Sequence, residues 1–122
     1  MLAIFAALHH SQVRVVLARG GLIDYRSLLD SPFLYVPHDA VVPGALTSGD
    51  LEDLLAVLAP RAVRLEGPVD GLNRRLTRDA LAERLLPVRR AFAAAQAEAQ
   101  FAALVEYGTD ADSAAWMLGR LQ

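Results

Sequence analysis

The sequence predicts an α/β domain, a three-stranded parallel sheet flanked by helices. Three short apolar runs carry that reading: VRVVLA at Val13–Ala18, AVRLE at Ala62–Glu66 and FAALVEY at Phe101–Tyr107. Each has the length and the β-branched or aromatic content of a buried strand. Capped helical segments lie between them, and repeated helix–strand alternation calls for crossovers that join parallel strands. At 122 residues the chain is long enough for one domain with its own core.

The elements follow in order. LAIFAALHH, residues 2–10, reads as the end of a buried helix with no capping residue before it. The first strand is closed by Gly20-Gly21. Asp24 is placed to cap a short helix over Tyr25–Leu29, which Ser31-Pro32 breaks. Prolines at 32, 37 and 43 make residues 32–47 an irregular loop. Ser48 or Asp50 caps a helix over Leu51–Leu58, with Glu52 and Asp53 in the first turn, where the helix dipole favours acids, and Pro60 ends it. Gly67-Pro68 opens the turn after the second strand. Thr77 caps a long helix from Arg78 to about Gln96, which Pro87 kinks or splits. Asp110 or Asp112 caps the closing helix, Ser113–Leu121, with Trp116 and Leu121 turned inward.

Composition narrows the function classes. Apolar residues make up 54% of the chain against 21% charged, which excludes disorder. The mean hydropathy of +0.29 implies more apolar surface than one small core hides, and so a partner or a missing remainder. With a net charge of −2, and Arg74-Arg75 and Arg89-Arg90 balanced by acids, no nucleic-acid partner is expected. There is no cysteine, which removes disulfides, thiolate nucleophiles and cysteine metal sites. The apolar start, Met1–Leu8, is too short to span a bilayer and lacks the basic region of a signal peptide. The expectation is a cytoplasmic protein with no membrane partner.

Asp70 is the candidate site residue. It follows a strand, so its carboxylate stands at the carboxyl edge of the sheet, where open α/β sheets build their sites. An acid there can orient a histidine and stabilise its imidazolium; it can equally be a turn residue that binds its own backbone near Gly71. His9 and His10 are adjacent, point about 100° apart on a helix and cannot chelate one metal. His38 lies in the proline-rich loop beside Asp39, as a surface residue or a substrate contact. No histidine follows Asp70. Ser11, Ser27, Ser31, Ser48 and Ser113 all sit at cap or turn positions, and none lies in Gly-x-Ser-x-Gly. Lacking GxGxxG, HExxH and any lysine, the chain carries no cofactor, metal or Walker A motif.

Taken together, VRVVLARGGLIDYRSLL, VPGAL, DLEDLLAVLAPR and the strand ending in GPVDG resemble the carboxyl-terminal half of serine esterases of the α/β-hydrolase fold. The likeness is to the acetyl xylan esterase-like carbohydrate esterases, and it runs from Val15 to Gly71. SAAWMLGRL is similar to the closing helix of such hydrolases. The resemblance implies that LAIFAALHH matches the helix after the nucleophile elbow, that the three strands are the sixth to eighth of an eight-stranded sheet, and that Asp70 matches the triad acid. It places the nucleophilic serine and the oxyanion-hole loop before Met1. The triad histidine would fall near Gly108–Asp112, where this chain reads GTDAD.

The expectation that follows is a single partial α/β-hydrolase domain over residues 1–122, truncated and without catalysis of its own, with Asp70 a vestigial triad acid and no cofactor. Two alternatives stand beside it: an esterase half completed by a partner chain, and a non-catalytic α/β assembly module. All three leave the strand Val13–Ala18 as an open edge, so a homodimer or a complementing amino-terminal hydrolase half is the expected partner.

Overall fold

The computed structural model describes residues 1–121. Helix α1 (Leu2–His9) leads into strand β1 (Val15–Arg19). After a long irregular segment come α2 (Leu51–Val57), β2 (Ala62–Glu66), α3 (Arg78–Arg84), α4 (Leu86–Ala94), β3 (Phe101–Leu104) and α5 (Asp110–Leu121). The sheet has the order β1-β2-β3 and both pairs are parallel, as the alternation requires.

Register sorts the strand residues onto two unlike faces. Val16 and Ala18, Val63 and Leu65, and Phe101 and Ala103 share one face. They meet Ile4 and Ala7 of α1, Leu55 of α2, Leu81 of α3, and Val88 and Phe92 of α4 in one apolar core. The Phe92 and Phe101 rings lie 5.1 Å apart and tilted. The opposite face carries Leu17 and Arg19, Arg64 and Glu66, and Ala102 and Leu104. Helix α5 reaches this face through the Ser113 hydroxyl on Glu66 and through Trp116, whose ring lies 5.7 Å from the Arg64 guanidinium.

Helix starts follow the local chemistry. Asp50 caps α2 in a reciprocal box with Asp53, and Ser48 takes no part. Thr77 Oγ1 accepts the Ala80 N–H at the start of α3. Pro87 sits in the first turn of α4, so the long helix is split at Leu85. Asp24 accepts the Ser27 N–H, and the expected short helix is a single 3₁₀ turn at Arg26–Leu28.

Four expectations need correction. β1 begins at Val15 because the Val13 N–H is taken by His10 in a turn. β3 ends at Leu104, whose carbonyl accepts the Gly67 N–H in the last rung of the ladder. The Tyr107 ring then packs over Gly67: with φ at +56°, a Cβ there would stand 2.5 Å from Tyr107 Cε1. The closing helix starts at Asp110, three residues early, because Thr109 Oγ1 accepts the Asp112 N–H and is the cap. Leu121 is exposed, and the half-buried Trp116 shares its helix face with buried Ser113 and with Arg120. The polar members of that sheet face, Glu66 and Arg64, meet Ser113 and Trp116.

The apolar excess is visible at the surface. Leu29, Phe33, Leu34, Tyr35, Val42 and Leu46 are all exposed in the segment between β1 and α2.

Candidate functional site

The carboxyl ends of β1 and β2 are where the sequence places its candidate site, and two carboxylates stand there. Past β2 the chain keeps pairing briefly: Val69 accepts the Ile23 N–H through its carbonyl and donates to Gly21. Asp70 then closes a tight loop. Its Oδ1 accepts the backbone N–H groups of Leu72 and Arg74, both at 2.9 Å. Its Oδ2 takes Arg74 Nε at 3.0 Å and Nη2 at 2.8 Å. Burial pushes the Asp70 carboxyl up, but the Arg74 N–H, its guanidinium and the Leu72 N–H outweigh this and hold it below its ordinary value. Both oxygens serve the local turn, and the structure brings no histidine to them: His9, His10 and His38 lie on other segments and are exposed.

The second carboxylate is Glu66, the last residue of β2 and fully buried. Arg19 Nε donates to Oε2 at 2.7 Å, and the Gly108 N–H donates to the same oxygen at 3.1 Å. Ser113 Oγ donates to Oε1 at 2.9 Å. Arg64 Nε stands 2.7 Å from Oε1 as an ion pair, without the direction of a hydrogen bond. Arg19 spreads further, from Nη1 to Asp110 Oδ1 and from Nη2 to Ser113 Oγ, both at 2.6 Å. Gly108 lies close against the cluster: a Cβ there would stand 2.8 Å from Arg64 Nη2 and 3.0 Å from Glu66 Oε1, so these side-chain ends would have to shift.

The chemistry of this cluster follows from its charges. Burial raises the Glu66 carboxyl, but the Ser113 hydroxyl, Arg19, the Gly108 N–H and Arg64 together bring it below the usual carboxylate range. A carboxylate so held is a weak base. The Ser113 hydroxyl donates a hydrogen bond to Glu66 and accepts one from Arg19, so it is not poised as a nucleophile. The cluster binds charge and fixes geometry.

A third polar group forms where the segment after β1 meets α2. Asp50 Oδ1 accepts the Tyr25 N–H at 2.6 Å besides capping α2, and Arg26 bridges Asp50 and Glu52. Arg84 pairs with buried Asp24. Burial raises the Glu52 carboxyl above its ordinary value, and the neighbouring Arg26 only partly offsets this. Among the described residues, no three His, Cys, Asp or Glu side chains are placed to hold a metal ion. No helix among them is long and apolar enough to cross a membrane.

Glu66 was the residue to find, and its signal was present. Arg64 and Glu66 lie two apart in an otherwise apolar strand and so share a face, with Arg19 at the matching end of β1.

These shifts set the response to acid. Asp70 and Glu66 are held below their ordinary values of 3.8 and 4.5, so their contribution to stability is present above those values and is lost as pH falls through their folded values. Glu52 acts in the opposite sense, destabilising the fold above its ordinary range. Asp70→Asn is expected to cost about 1 kcal/mol at pH 7, and the gap to the native chain should close as pH falls below about 4. Urea midpoints from pH 7 down to pH 3 measure it; a gap that stays constant with pH contradicts the assignment.

Comparison of the chain with protein-family models, curated proteins and solved structures finds no match.

Proposed function

We propose that this chain is an esterase-like α/β-hydrolase relative that does no hydrolysis by itself and acts by completing a larger sheet through β1. The observation that carries the reading is the open edge of β1. Val16 and Ala18 turn their backbone groups toward β2, so Val15, Leu17 and Arg19 direct theirs outward, with no strand beyond. In-order parallel strands, and an acid in the turn after the middle one, agree with the resemblance of Val15–Gly71 to the esterases. Asp70 is the vestigial triad acid in this reading. Its two oxygens are engaged by Leu72 and Arg74, and every histidine precedes it in the sequence. A triad without its base and nucleophile retains little catalysis.

Two measurements on the purified chain test the proposal. No turnover of p-nitrophenyl acetate above buffer is expected, and turnover that disappears in Asp70→Asn overturns the non-catalytic part. Size-exclusion chromatography with light scattering is expected to show association through β1. Leu17→Pro, which removes an outward N–H and spares the ladder to β2, should return the chain to a monomer that circular dichroism shows to be folded. A native chain that stays monomeric across the accessible concentration range overturns the sheet-completing part.

A further inference from the structure

The sheet has a second open edge, and its surroundings differ from those of β1. The Leu104 carbonyl accepts the Gly67 N–H on β2, so by alternation Ala102 and Leu104 face the sheet, and Ala103 directs its N–H and C=O outward. An open cleft of about 510 Å³ runs beside this edge. One wall is the chain from Ala103 to Gly108; the other is built by Arg78 and Leu81 of α3 and Arg89 of α4. The cleft therefore combines an unpaired strand edge, apolar lining at Leu81 and Val105, and two cations on the wall opposite the strand.

The charges decide what fits. Among the described residues, neither Arg78 nor Arg89 is in any of the ion pairs, which engage Arg19, Arg26, Arg64, Arg74, Arg75 and Arg84 instead. Glu106, the acid lining the cleft, is already paired with Arg75. Arg89 is over the Phe101 ring at 5.6 Å, which leaves its guanidinium exposed at the edge of the cleft. Two free cations beside a strand edge select an extended, acidic partner. The geometry points to the β3 cleft as a docking groove for an acidic peptide segment of another protein, added as a fourth strand beside β3. Backbone hydrogen bonds to Ala103 would set its direction, and its carboxylates would meet Arg78 and Arg89. This site uses the edge opposite β1 and is independent of the sheet-completing reading.

A fluorescein-labelled peptide of about six residues alternating Val and Glu is the probe, read by fluorescence anisotropy against the native chain. Saturable binding that weakens with added salt is expected, with no binding of the Val/Lys counterpart. Arg78→Glu combined with Arg89→Glu alters only exposed side chains and should weaken binding by at least about tenfold. Ala103→Pro removes the outward N–H while sparing the ladder to β2, and should weaken it comparably. Circular dichroism confirms that each variant is folded; if Ala103→Pro is not, the charge-reversed pair and the Val/Lys peptide decide. The proposal is overturned by an acidic peptide that does not bind, by equal binding of the Val/Lys peptide, or by binding that either folded variant leaves unchanged. It is overturned equally if light scattering shows a dimer that Arg78→Glu with Arg89→Glu dissolves, since a second copy would then fill the groove.

Discussion

Glu66→Ala is expected to destabilise the domain by about 3 kcal/mol or more, the cost of removing one partner from a buried charge cluster. Its carboxylate is fully buried and collects Arg19, Arg64, Ser113 and the Gly108 N–H, drawn from β1, β2, α5 and the loop after β3. Without it, Arg64 keeps its charge in a mostly buried position, against Trp116 alone. Glu66→Gln should recover part of the loss, because an amide oxygen still accepts from Gly108 or Ser113. Urea unfolding followed by circular dichroism measures both. A loss below about 1 kcal/mol for Glu66→Ala would place the cluster among surface ion pairs and contradict its role.

Phe92→Ala is expected to cost about 3–5 kcal/mol by a different mechanism. Its ring is fully buried on α4 and stacks near Phe101, at the join between helix layer and sheet. Truncation opens a cavity in a core whose members Leu85, Val88 and Val63 are themselves fully or nearly fully buried. Tm should fall by more than about 10 °C. Phe92→Leu, which retains most of the volume, should lose much less; equal losses for the two would mean that the site does not report on packing.

Much of the architecture was legible in the chain. The five residues Ala62–Glu66 form β2 as expected, and Thr77 and Pro87 place the start and the break of the α3–α4 segment. Helix caps and proline act over a few residues, so a sequence shows them directly. The end of β3 and the start of α5 were less legible, because they depend on where Tyr107 packs and on which of three neighbouring cap formers wins. Thr109 prevails over Asp110 and Asp112, leaving Asp110 free to meet Arg19 across 91 positions of chain.

The site was legible only in part. Asp70 was visible from its place after a strand, and its turn-holding bonds to Leu72 and Arg74 match one of the two readings open to it. For the Glu66 cluster the sequence shows only the Arg64–Glu66 pair on one strand face; Arg19, Gly108 and Ser113 are brought to it by the sheet register and by the packing of the chain after β3.

That register gives Glu66 a further consequence. Strand pairing tolerates a slip of one residue as far as backbone hydrogen bonds are concerned, but such a slip sends each side chain to the other face. Moving β1 by one place would set Ala18 beside Glu66 and swing Arg19 toward the apolar core that Ala18 and Leu55 share. Moving β2 would drive Arg64 and Glu66 themselves into that oil. The cluster thus works as an error check on assembly: only one alignment of the strands, with α5 seated, leaves no charge stranded.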